Sequence, residues 1–354
     1  MGVNLQNFGK KIVHEGILQK KTKRGSQCLT CGHECIIQEG KLGFCKTRTN
    51  SNGSIYTLVY GNISSISNNP IEKKPIYHFA PGTRALTVGS WRCNATCGFC
   101  QNSDISKTAP TPDNANFMSP VSFVEEARRR GSQGTSVSLN EAATLMLEWN
   151  IEMFEDAKEE GLYNTIVTNG YMSKKASELM VDAGLDAANI DIKGCQEGVK
   201  RECGIDVELV WQNAVRMKEK GVHVELTTLM VPGLSDDLSC IESIAERISH
   251  DLGPSTPWHI SRYFPAFEYS TPPTEIENLF AAKQIGEDKG LHYVYVGNVY
   301  SKNLQNTVCP SCGSLCYERS SMVSINKGLT EDGCCASCGA DLDFSGLHGK
   351  WEQE

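Results

Sequence analysis

Between Arg84 and Asn298 short apolar runs alternate with amphipathic stretches of helical length, and this repeat constrains the fold more than any other feature of the chain. Strands are expected at 85–90, 135–139, 164–169, 187–193, 223–230, 257–264 and 292–297. Apolar residues between them recur at helical spacing. Examples are Ile241, Ile244, Ala245, Ile248 and Leu252, following a capping residue at Ser235 or Asp236, and then Ile276, Leu279 and Phe280. Strands separated by helices of this length pair in parallel. Six or seven such units make a barrel or a large open sheet, and in both the chemistry gathers at the C-terminal ends of the strands. Those ends carry a three-cysteine loop, Asn140 and Glu141, Thr168 and Asn169, Asp191 and Lys193, and His259 with Arg262. No glycine-rich phosphate fingerprint follows the first strand, which argues against a dinucleotide or P-loop site.

The flanks read differently, dividing the chain into a cysteine-rich N-terminal region at 1–82, a core at 83–300 and a C-terminal region at 301–354. The N-terminal region holds a basic arm at 10–25 and the segment SIYTLVYGNISSIS at 54–67, expected as paired strands. No apolar run approaches the roughly 20 residues that span a bilayer, and no secretory signal opens the chain, so a cytoplasmic protein is expected. There, 16 cysteines read as metal ligands and not as disulfides. Most fall into three tight groups, while Cys195, Cys203 and Cys240 stand apart and read as core or surface residues without a metal role. A net charge of −8 argues against a general polyanion binder, although the basic arm leaves nucleic acid open as a partner.

The sequence WRCNATCGFCQN at 91–102 spaces Cys93, Cys97 and Cys100 as C-x3-C-x2-C. Three thiols fit a zinc loop completed by a distant ligand, or an iron-sulfur cubane whose fourth iron is left free. With Phe99 inside the motif and a strand before it, the loop resembles that of the radical S-adenosylmethionine superfamily. The stretches IEKKPIYHFAPGTRALTVGSWRC, CLTCGHEC, VTNGYMS, DIKG, VPGLSDD, HISRYFP and YVYVGNV and the terminal CPSC and CASCG pairs narrow the likeness. Together they resemble the radical SAM component of the AmmeMemoRadiSam system, related to pyruvate formate-lyase activating enzymes. Where that family has Asn-Glu-Pro, this chain reads Asn140, Glu141, Ala142.

The resemblance implies an α/β fold, a partial (β/α)6 TIM-like barrel. It implies a 4Fe-4S cluster on Cys93, Cys97 and Cys100 that reductively cleaves S-adenosylmethionine to a 5'-deoxyadenosyl radical, which abstracts hydrogen from a substrate. Glu141 would accept the cofactor's ammonium, Lys193 would meet its carboxylate, and Asp191 and Thr168 would contact ribose or a monovalent cation. Asn140, Asn169 and His259 would complete the cofactor site, with Phe99 at the adenine. An electron donor such as flavodoxin or ferredoxin, and Memo-like and AMMECR-like partners or a protein substrate, are implied as well.

Two further cysteine groups remain. Cys309-x2-Cys312 and Cys335-x2-Cys338 read as a zinc ribbon, with Cys316 and Cys334 spare. Cys28, Cys31, Cys35 and Cys45 suit zinc or an auxiliary iron-sulfur cluster, with His33 able to replace one thiolate. A glycyl-radical activase is an alternative function within the enzyme class. A zinc-dependent nucleic-acid or protein binding module is the alternative from outside it.

Overall fold

Residues 5–9, 11–300, 303–320 and 323–347 are described by the structure, a computed structural model. Lys10 of the basic arm and residues 1–4, 301–302, 321–322 and 348–354 of the two flanks lie outside the described residues.

The expected strands assemble into one eight-stranded sheet. Arg84–Gly89, Gly134–Val137, Tyr163–Thr168, Ala187–Asp191, His223–Met230, Trp258–Arg262 and Val294–Gly297 pair in parallel, in chain order. Ser65–Pro70 adds an antiparallel edge beside Arg84–Gly89. This revises the expectation for 54–67. Its two strands do not pair with each other: Ser54–Thr57 joins a three-stranded sheet with His14–Glu15 and Arg48–Ser51, and the residues from Ser65 enter the large sheet.

Alternation along the strands sorts the two faces. Leu86, Val88, Ile166, Ile190, Leu226, Ile260 and Val296 are buried on the outer face, in one cluster with the helix residues Phe123, Phe154, Met180, Val210, Ile241 and Leu279. At roughly 1.5–3 kcal/mol for each such side chain buried, this layer dominates the stability. The inner face is small and polar, with Thr87, Ser136, Thr165, Asn189, Glu225, Thr227 and Ser261. Ser67 from the antiparallel edge strand and Ser261 from the opposite side of the sheet line the same cavity, so the sheet curls around it.

Several local expectations are corrected. The helix Leu238–Arg247 is capped by Asp237, whose carboxylate accepts the Ser239 N–H at 2.8 Å. Ser235 and Asp236 serve the preceding turn, accepting the N–H groups of Val231 and Gly233. Phe280 faces solvent, because the helix Ile276–Asp288 buries Leu279, Ala282 and Gly286. Cys195 and Cys240 form a disulfide, against the expectation of free thiols throughout. Cys195, the N-cap of the helix Gln196–Cys203, and Cys240 in Leu238–Arg247 have Cα atoms 5.8 Å apart, within bridging range.

Near the C-terminus Thr307–Val308, Leu315–Ser320 and Val323–Asn326 form an antiparallel sheet. No helix of the described residues is long and apolar enough to cross a membrane.

Candidate functional site

A cavity of about 470 Å³ opens at the C-terminal ends of the parallel strands. Cys93, Cys97 and Cys100 line it together with Phe99, Asn140, Glu141, Thr168, Asn169, Asp191 and Lys193. The loop that carries the thiols begins where Arg84–Gly89 ends and is clamped by Asn140, whose side chain accepts the Ser90 N–H at 3.0 Å and donates to Arg92 O at 2.6 Å. Arg92 is held in the left-handed region at φ 68°, a conformation that costs roughly 1–2 kcal/mol outside glycine. Its guanidinium is anchored on the carbonyls of Cys45 and Lys107, so a cysteine-rich flank and the loop's far side fix the residue before Cys93.

Glu141 is buried and already supplied with donors. Its Oε1 accepts from Thr144 at 2.7 Å and Thr168 at 2.5 Å, and its Oε2 accepts the Asn169 N–H at 2.8 Å. Burial pushes its pKa up, opposed by these same hydrogen bonds. Glu141 therefore ties the second parallel strand to the third. Asn169 then reaches Asn94 Oδ1 at 2.8 Å and Cys93 Sγ at 3.7 Å. Gly170, at φ 67°, ends this strand. A Cβ there would stand 2.7 Å from Val210 Cγ1, so the turn that aims Asn169 tolerates no side chain.

Lys193 donates to Asp191 at 2.9 Å, a pair two residues apart on one side of the strand end. Burial lowers the Lys193 pKa, but Asp191 and the nearby thiols Cys97 and Cys203 more than reverse this and hold it well above the ordinary lysine value. Cys97 is held below the usual thiol range by a hydrogen bond from Cys203, against its own burial and with help from Lys193. Cys203 was expected to stand apart; the helix Gln196–Cys203 ends on it and delivers its buried thiol to the cysteine loop. Cys93 is pushed up by burial and then by Glu141. Phe99 packs edge-on to Tyr269 at 5.6 Å.

His259 is placed differently from expectation. It stands second in Trp258–Arg262 instead of at the strand's end, and its Nε2 is 2.6 Å from Glu225 Oε2. Tyr77 and Tyr295 cover the ring, which is outside the cavity lining. Glu225, wholly buried, also bonds His223 at 3.0 Å and the backbone N–H groups of Tyr77 and His78 at 2.7 Å each. Its only sequence signal is an acid within the strand HVELTTLM, two residues before Thr227. Also lining the cavity, and unread in the sequence, are Ser67, Asn69, Lys73, Lys74, Thr227 and Ser261.

The donor sets differ in fit. Cys309, Cys312, Cys335 and Cys338 bring their sulfurs within 4.8 Å of one another, with Cys309 to Cys338 and Cys312 to Cys335 both at 3.7 Å. Tetrahedral zinc with Zn–S near 2.3 Å needs edges of about 3.8 Å, so this set fits a single zinc ion. Cys316 and Cys334 lie outside it. No other described group gathers so tightly. Of Cys28, Cys31, Cys35 and Cys45, only Cys35 is not fully buried, and burial first and then Cys45 push the Cys31 thiol up. His33 is turned from them to Asn94 O at 2.7 Å. The three thiols at the cavity are a soft donor set beside open space, which fits a cubane held from one side.

The chain is 36% identical over 323 residues to the uncharacterized protein MJ0808 of Methanocaldococcus jannaschii, covering 90% of this chain and 95% of that one. Among solved structures, a domain of pyruvate-formate lyase-activating enzyme from Bacteroides vulgatus ATCC 8482 aligns at TM-score 0.41 and 20% identity, over 47% of this chain and 100% of that one. Streptococcus suis SuiB bound to S-adenosylmethionine aligns at 0.49 and 12%, over 65% of this chain and 53% of that one. The family model for the Radical SAM superfamily matches residues 90–248, from the start of the cysteine loop through the strand ends that carry Glu141, Asn169 and Lys193. The chain therefore belongs to one family with MJ0808, and residues 90–248, which build the cavity, carry a Radical SAM domain.

Proposed function

We propose that this protein is an enzyme that cleaves S-adenosylmethionine reductively and uses the resulting radical on a bound substrate. The observation that carries the reading is the meeting of Cys93, Cys97 and Cys100 with Glu141, Asn169, Asp191 and Lys193 around one cavity. When bound, a three-cysteine 4Fe-4S cluster and S-adenosylmethionine supply a 5'-deoxyadenosyl radical. The chain's own residues hold and orient. Cys93, Cys97 and Cys100 are the cluster ligands, Asn140 fixes their loop, and Glu141 fixes Thr168 and Asn169 while keeping one acceptor position for an ammonium. Lys193 offers a cation for the methionyl carboxylate, and Phe99 shapes the adenine wall. The AmmeMemoRadiSam resemblance, the cytoplasmic setting, a flavodoxin or ferredoxin donor and Memo-like or AMMECR-like partners belong to the same reading.

The test is anaerobic reconstitution with iron and sulfide, reduction by dithionite, and measurement of 5'-deoxyadenosine from S-adenosylmethionine. The wild type should produce it, and Cys97→Ala should not. Equal product from an iron-replete Cys97→Ala variant would refute the assignment.

A further inference from the structure

Lys74 is 4% exposed, yet its ammonium has neither an ion pair nor a hydrogen-bond partner among the described residues. It lines the same cavity as the three thiols. An unpaired buried cation is costly, and natural chains keep such groups where a ligand supplies the counter-charge. No carboxylate of the lining, among the described residues, pairs with it. The lining's acids are engaged elsewhere, Asp191 with Lys193 and Glu141 with Thr144, Thr168 and Asn169. Among the described residues Lys73, alongside, reaches only the neutral Asn69, at 3.5 Å. Ser67, Thr227 and Ser261 add uncharged polar groups to the lining.

The segment holding Lys74 is pinned on both sides. The Lys74 N–H donates to Ile71 O at 2.8 Å, and Asn189 Nδ2 donates to Pro75 O at 2.7 Å. Two residues on, Glu225 takes the Tyr77 and His78 N–H groups, while Ile71 and Ile76 are buried against Tyr163 and Ala187. The backbone that carries Lys74 is thus held in place at the cavity wall. Burial, and then Lys73, bring its pKa down to about 8.

We infer that Lys74, with Lys73 beside it, is the binding point for an oxyanion of the substrate, a carboxylate or a phosphate. This rests on the proposed function, which places cofactor and substrate in this cavity, and assigns the cofactor's own carboxylate to Lys193.

The test uses the full-length reconstituted protein saturated with S-adenosylmethionine, titrated calorimetrically with succinate in one arm and inorganic phosphate in the other. The preferred probe names the oxyanion. Lys74→Gln should weaken its binding by about tenfold or more, Lys74→Arg should retain most of it, and exposed Lys174→Gln should change nothing. Lys74→Met should raise the melting temperature, because an unpaired buried charge is removed, and this separates loss of binding from loss of fold. No binding of either anion to the wild type, or equal binding to Lys74→Gln, overturns the inference. So does a matching loss of S-adenosylmethionine affinity in Lys74→Gln, which would give Lys74 to the cofactor. If the wild type forms no 5'-deoxyadenosine while the anion still binds through Lys74, the proposed function fails and the anion site stands.

Discussion

Glu225 and His259 meet at 2.6 Å beneath the cavity, each buried and neither part of its lining. The pair holds the backbone at Tyr77 and His78, and through it the segment that carries Lys73 and Lys74. His259 is therefore expected to act as a positioning residue. His259→Ala should leave the dissociation constant for S-adenosylmethionine within about threefold of wild type, under roughly 0.7 kcal/mol. It should cost about 3 kcal/mol of stability in urea, because Glu225 keeps its charge and loses a donor. A hundredfold loss of cofactor affinity at unchanged stability would return His259 to the cofactor site.

The parallel strands and the cavity's cysteine end were legible because both rest on local spacing. The βα repeat sets the topology, and strand ends in such a sheet converge whatever lies between them. Cys93, Glu141, Asn169 and Lys193 followed from that. Lys74 was not legible: the stretch IEKKPIYHF carried the resemblance without a role for either lysine, and only the folded chain shows Lys74 buried at the cavity. Glu225 sits mid-strand, where an acid carries no sign of the four groups that meet it. The Cys195–Cys240 bridge and the contact of Cys203 with Cys97 depend on helix packing, for which spacing gives no rule.

His78 makes acid sensitivity testable. It is buried between the large sheet and the C-terminal segment, bonded to Tyr295 Oη at 2.6 Å and Leu342 O at 3.1 Å and stacked on Phe344. Burial pushes its pKa down to about 3, whereas an unfolded imidazole sits near 6.5. Between these values the unfolded chain takes up a proton that the folded one refuses. Stability present above about pH 6.5 is then lost as pH falls toward 3, at up to about 1.4 kcal/mol per unit. In urea titrations from pH 7 to 4, His78→Gln should show a shallower decline than wild type. An unchanged slope would mean that other groups set it.

The terminal thiols predict a metal count. Cys338→Ser should remove close to one equivalent of zinc from the purified protein and leave its iron content unchanged, as read by elemental analysis. Because a structural zinc contributes directly to folding, the same variant should expose the sheet Leu315–Ser320 and Val323–Asn326 to protease while the core resists. Loss of iron in step with zinc would show that the two sites are not independent.

Arg48 and Glu148 join the cysteine-rich flank to the helix Leu147–Glu159 through a bidentate pair at 2.7 and 2.8 Å, with both side chains 2% exposed. Glu148 also accepts the Ile17 N–H at 3.2 Å, so one carboxylate fastens two N-terminal strands' surroundings to the core. Removing one partner leaves a buried charge without compensation, and Glu148→Ala should cost about 3–5 kcal/mol in urea. The pair itself contributes much less, since each ion lost its hydration on folding. Arg48→Met with Glu148→Leu, close in volume and uncharged, should recover most of that loss, leaving a non-additive cycle. If the double variant is as unstable as Glu148→Ala, the hydrogen bonds to Ile17 and Leu145, and not the stranded charge, carry the attachment.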